Sequence, residues 1–193
     1  MFGPLRYEAR AQYVKSYRIS RGIQNLDTER NYLAKEALAD KTVTHIMWVD
    51  TDSLMEKPEN PNDAIGLLLQ CNVPIVSGLY RAKKSKGLYP YCAFMRVPGP
   101  QLGYIPIDSW TGNYIKVDVI GFGFILCRRE VFEKVPYPWF EWGPEESAPS
   151  EDFRFCEKAK QYGFDINLFT EVKLSHGMVG KVKIDGSVHV LDV

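Results

Sequence analysis

Asp50 and Asp52 are separated by one residue, and two carboxylates at that spacing can both face a hard divalent cation, one directly and one through water. They follow Val43, Ile46, Met47, Trp48 and Val49, a nearly continuous apolar run that reads as a strand covered on both faces. A bare Asp-x-Asp is a weak motif and also suits a solvated turn. Its position strengthens it, because ligands of open α/β sheets bind outside the carboxyl ends of the strands. Glu151 and Asp152 fall in the first turn of a candidate helix, where the dipole favours carboxylates. A carboxylate beside a cation-bound electrophile can also deprotonate an attacking hydroxyl. His176 ends a strand candidate just before Gly177, and its imidazole can complete an oxygen-rich metal site, although a lone histidine is more often structural.

Holding these residues requires alternating helices and strands, which predicts an α/β layer architecture. Asp27 is the expected N-cap of a helix through Ala39, with Leu33, Ala34, Ala37 and Leu38 on one face. Asn60-Pro61 opens a second helix whose stripe is Ala64, Ile65, Leu68 and Leu69. Strands are expected over Val73 to Leu79, Tyr91 to Val97, Tyr114 to Val119, Phe124 to Cys127 and Glu171 to His176, and weakly over Ser20 to Leu26. Arg129 to Lys134 reads as a short helix. Ser150 caps another to Tyr162, with Gly163 at its left-handed end. Residues 81 to 90, with Arg81, Lys83, Lys84 and Lys86, read as a mobile basic loop. Residues 136 to 149, with Trp139 and Trp142, form a loop ordered by aromatic packing. Asp185-Gly186 centres a hairpin over Val182 to Val190.

Length and composition bound the rest. The 193 residues are 45% hydrophobic and 25% charged, which fits one globular domain. The 24 Lys+Arg balance 24 Asp+Glu, so no global basic field recruits nucleic acid and charged ligands must be met by local clusters. Cys71, Cys92, Cys127 and Cys156 form no CxxC pair, which argues for reduced thiols rather than zinc. Residues 1 to 20 lack an apolar signal core, and no stretch is long enough to span a membrane, so a cytoplasmic chain is expected.

Taken in order, several strings resemble the metal-dependent glycosyltransferases of the GT-A fold, family-2-like. They are Arg30-Asn31, His45 to Asp52, Pro74 to Tyr80, Gly121 to Arg129, Ser150 to Cys156 and Ser175-His176-Gly177. The resemblance implies a mixed, mainly parallel Rossmann-like sheet flanked by helices, as one domain over 1–193 with a C-terminal hairpin or tail over 181–193. It implies a UDP- or GDP-linked sugar donor held by Mn²⁺ or Mg²⁺, and a saccharide or other hydroxyl acceptor. Asp52 would bind the metal, Asp50 the metal or ribose, and His176 would be a further ligand. Asp152 would be the base of an inverting enzyme, with Glu151 beside it. Arg30, Gly121 and Gly123 would belong to the donor site, where glycine allows close approach. Trp139 and Trp142 would stack on the acceptor, or serve instead as a hydrophobic lid or core anchor.

Residues 1 to 19 depart from the resemblance, because they do not read as the opening strand and helix that hold the base in family members. Two other readings remain: a nucleotidyltransferase, which would want a Gly-rich phosphate loop near the N-terminus, and a non-catalytic sugar- or partner-binding remnant.

Overall fold

Successive side chains of the central strands point into two apolar clusters, one on each face of a sheet, and helices close both. The computed structural model describes residues 13–19, 25–58, 61–82, 90–99, 103–143, 149–176, 180–182 and 188–190; residues 61, 62, 176, 180–182 and 188–190 are described in their backbone only. The expected loop at 83–89, the strand-like stretch at 20–24 and the hairpin turn at 183–187 lie outside these residues.

α1 (Leu26–Ala39) leads into β1 (His45–Val49), and the Asp50-Thr51-Asp52 turn leads on to β2 (Ser53–Lys57). Next come α2 (Pro61–Gln70), β3 (Ile75–Leu79), β4 (Ala93–Arg96) and β5 (Tyr104–Pro106). β6 (Tyr114–Val117), β7 (Val119–Ile120), β8 (Phe124–Arg128) and α3 (Arg129–Lys134) follow. α4 (Glu151–Gln161) and the long β9 (Ile166–His176) precede a hairpin of β10 (Gly180–Val182) and β11 (Val188–Val190). The helix spans follow their sequence signals closely. α1 begins two residues early, with Asn25 as N-cap, so Asp27 sits in the first turn where the dipole favours it. Gly163 takes the left-handed conformation after α4 (φ +84°).

The main sheet runs β1-β8-β3-β9-β2, with β6 also on β9. Its strands are mostly antiparallel, and only β3 and β9 run parallel. This corrects the mainly parallel sheet expected from the sequence. Continuous apolar runs such as Ile75–Leu79, buried throughout, report that both faces are covered and carry no information on strand direction. A second sheet, β5-β4-β7, packs beside α4, where Phe94 and Tyr104 meet Phe153 at ring distances of 4.9 and 5.3 Å.

On one face Ile46, Ile75, Ile125 and Cys127 pack against Ala34 of α1 and Phe155, Cys156 and Ala159 of α4. On the other, Val76, Phe124, Leu126, Val172 and Leu174 pack against Ala64 and Leu68 of α2. The aromatic centre of the first cluster stacks Phe140 on Phe155 at 4.9 Å, with Phe122 edge-on to Phe155 at 4.9 Å. Each such ring contributes about 1.5–3 kcal/mol by leaving water. Among the described residues no helix is long and apolar enough to cross a membrane.

Candidate functional site

The ends of β1, β8 and β9 meet at Ser53. Its hydroxyl donates to the Gly123 carbonyl at 3.1 Å, and its Cα lies opposite His176 in the β2–β9 register. The Asp50 amide donates to the same Gly123 carbonyl at 2.9 Å, and the Ser53 amide closes the turn onto the Asp50 carbonyl at 3.0 Å. The Asp50-Thr51-Asp52 turn is therefore tied to the Gly121-Phe122-Gly123 turn by backbone bonds.

Arg30 approaches from beneath. It is 5% exposed on α1 and donates to Glu151 at the start of α4, and its second amino group lies 3.8 Å from Asp50 Oδ1. Its guanidinium also stands over the rings of Phe122 (5.2 Å) and Phe140 (5.8 Å). Glu151 is 2% exposed, and burial raises its carboxyl above the ordinary 4.5 while Arg30 opposes the rise. Enclosed in this way, Glu151 holds Arg30 in place. Asp152 itself is half-buried. Its Oδ1 accepts from the Ser150 hydroxyl and from the Phe153 amide at 2.9 Å.

Tyr80 lies just past β3 and feels both acidic positions. Burial first, then Cys92, Asp50 and Asp152, push its phenol well above the ordinary 10. Burial and Asp152, with a smaller share from Asp50, likewise push the Cys92 thiol up to about 12. Both carboxylates thus bear on one buried spot. The Tyr80 hydroxyl accepts the Gly123 amide at 2.8 Å. A methyl group on Gly121 would collide with that hydroxyl, and one on Gly123 would lie 2.9 Å from Tyr80 Cζ. The close approach these glycines permit is to Tyr80.

A metal ion would find Asp50 and Asp52 at the end of β1, with His176 one register position from Asp52 across Ser53. Carboxylate oxygens with one imidazole suit Mn²⁺ or Mg²⁺, so the donor set fits. Among the described residues no cluster of three His, Cys, Asp or Glu side chains that could hold a metal occurs, and the His176 side chain lies outside them.

The tryptophans separate. Trp139 is 7% exposed, and its indole N–H is shared between the Phe132 and Val135 carbonyls, both at 2.9 Å. Asn31 holds its backbone at 2.9 Å, so Trp139 anchors the core and presents no ring to an acceptor. Trp142 is 51% exposed beside Glu141, which pairs with Lys158 at 3.6 Å along α4. Sequence reasoning singled out neither Tyr80 nor Ser53 as a site residue. The pair of glycines around Phe122 signals that something presses on that turn, but not which side chain.

No protein-family model and no curated protein matches this chain. Among solved structures it is similar to A197 from STIV, at 17% identity and a TM-score of 0.57, covering 88% of this chain and 78% of that one. It is also similar to GalNAc-T7 with UDP, GalNAc and Mn²⁺, at 14% identity and a TM-score of 0.50, covering 78% of this chain and 30% of that one. At these identities the likeness is one of fold alone, a mixed α/β fold shared with both.

Proposed function

We propose that the chain is a metal-dependent glycosyltransferase that moves a sugar from a nucleotide-sugar donor to a hydroxyl acceptor with inversion. The observation that carries this reading is Arg30, which lies 3.8 Å from Asp50 and pairs with Glu151, so that the β1 turn and the start of α4, where Asp152 sits, are held together. The similar structure solved with UDP, GalNAc and Mn²⁺ supports a UDP-linked donor ahead of a GDP-linked one.

In this reading Asp50, Asp52 and His176 would hold Mn²⁺ or Mg²⁺, which when bound would supply positive charge at the donor diphosphate. Arg30 fixes Asp50 from below. Asp152 takes the proton of the attacking acceptor hydroxyl. Its two described hydrogen bonds both fall on Oδ1, so Oδ2 is the oxygen that receives the proton. Trp142 offers an exposed ring for a saccharide acceptor to stack on.

A thermal-shift titration with Mn²⁺, UDP and GDP, alone and in pairs, tests the reading. A pair present at a hundredfold excess over its Kd stabilises by about 2.7 kcal/mol, roughly 5–10 °C for a chain this size. The expected result is a shift with Mn²⁺ plus nucleotide that Asp52→Asn abolishes. No shift with any pair overturns the reading and favours a non-catalytic binding protein.

A further inference from the structure

Gly123 is bonded on both sides. Its amide donates to the Tyr80 hydroxyl at 2.8 Å, and its carbonyl accepts the Asp50 amide at 2.9 Å and the Ser53 hydroxyl at 3.1 Å. Tyr80 is 5% exposed and packs with Phe124, Leu126, Val172 and Leu174, so its ring cannot move without disturbing that cluster. The backbone encloses it further. The Cys92 amide donates to the Tyr80 carbonyl at 3.0 Å, and the Gly121 amide donates to the Cys92 carbonyl at 2.9 Å. Tyr80 is therefore tied to Gly123 through its phenol, and to Cys92 and from there to Gly121 through its backbone.

We propose that Tyr80 is a positioning residue for the donor and metal site: its hydroxyl fixes Gly123, and Gly123 fixes the turn that carries Asp50 and Asp52. This inference rests on the glycosyltransferase reading and adds a residue to it. A core tyrosine with no such role would need only a partner for its hydroxyl. Here one partner is the amide of the residue whose carbonyl holds Asp50, so losing the hydroxyl propagates across a single residue, Gly123, to the acidic turn. Glycine at 121 and 123 is then a requirement of this contact, because any side chain there would displace the phenol.

Tyr80→Phe tests the idea, since it keeps the ring and removes only the hydroxyl. Ser77→Ala is the control: Ser77 is equally buried on β3, and its hydroxyl donates to the Phe124 carbonyl at 2.8 Å without touching Gly123 or Asp50. Two readouts are taken on the full chain: amide hydrogen exchange at Gly123 and Asp50, and Mn²⁺ affinity in the presence of UDP or GDP. In Tyr80→Phe both amides should exchange at least about tenfold faster, and Mn²⁺ affinity should fall about tenfold, the size expected for one buried hydrogen bond. Ser77→Ala should change neither. Equal changes in the two variants, or unchanged exchange in Tyr80→Phe, overturn the inference. If wild type binds Mn²⁺ with nucleotide and Tyr80→Phe binds equally well, this inference alone falls. If wild type binds Mn²⁺ with neither UDP nor GDP, the glycosyltransferase reading falls and this inference falls with it.

Discussion

Arg30 and Glu151 form an ion pair whose two side chains are 6% and 3% exposed, joining the first helix to the start of α4. Removing one partner of such a pair leaves an uncompensated buried charge and costs about 3–5 kcal/mol, whereas replacing both with apolar groups is often neutral. Arg30→Met replaces the guanidinium over Phe122 and Phe140 with an apolar thioether and strands Glu151. We expect it to lower the urea midpoint by about that energy and Arg30→Met/Glu151→Leu to recover most of the loss. A double variant whose loss equals the sum of the singles would show that the pair is not coupled.

The same pair sets a pH dependence. Burial raises the Glu151 carboxyl above 4.5, so the folded state holds the proton more tightly than the unfolded chain. The stability this group contributes is complete below 4.5 and is lost as pH rises through the raised value. Against Glu151→Gln, which does not titrate, wild type should lose stability as pH climbs from 4.5 and show a flat difference below it. A relative gain over that window would mean that Arg30 outweighs burial and that the folded value is depressed.

What the sequence made legible was local. Asp50 and Asp52 stood out because they end an apolar run, and the span of α4 followed from Ser150 and Gly163 at its two ends. Strand direction was not legible, because Ile75–Leu79 is buried on both faces whichever way its neighbours run. β2 was missed because Ser53–Lys57 carries only Leu54 and Met55 as apolar residues and takes its pairing from β9, far along the chain. Ser150 was expected to cap α4 through its backbone amides, but its hydroxyl donates to Asp152 instead. Glu151 looked like a helix-start acid, and only its fold partner Arg30 makes it an anchor. Tyr80 was one aromatic among many until the fold set it beneath two glycines.

The packing of Tyr80 against Gly121 predicts strong non-additivity. Gly121→Ala would drive its methyl group into the Tyr80 hydroxyl, with Cys92 Cβ the next contact at 3.4 Å. Overpacking of this kind costs about 1–3 kcal/mol. In a Tyr80→Phe background the colliding atom is gone, so Gly121→Ala should be much milder, with a coupling energy of about 1 kcal/mol or more. Additive losses in a denaturation cycle would place the strain elsewhere.

Asp152 separates binding from chemistry. Asp152→Asn retains the shape and the capacity to accept from Ser150 and Phe153, so Mn²⁺-dependent nucleotide binding should stay within about twofold of wild type. Sugar transfer should fall by about 10²–10⁴ in kcat, the usual contribution of a positioned base. Wild-type turnover in this variant would remove Asp152 from the base role and open a retaining course.

Trp139 and Trp142 should give opposite signatures. Trp139 is edge-on to Phe132 at 5.5 Å and to Tyr137 at 5.4 Å, and both its backbone and its indole N–H are bonded. Trp139→Ala should therefore cost about 3–5 kcal/mol of stability by opening a cavity, and the acceptor KM of whatever enzyme remains folded should hold. Trp142 is half exposed, so Trp142→Ala should change stability by less than about 0.5 kcal/mol. If its ring carries the acceptor, the acceptor KM should rise about tenfold, in line with the loss of a stacking contact at the wet end of a site. Donor binding should not change, because Asp50, Asp52 and Arg30 are untouched. An unchanged acceptor KM in Trp142→Ala would leave that ring as surface and move the search for the acceptor platform to other aromatic residues around the site.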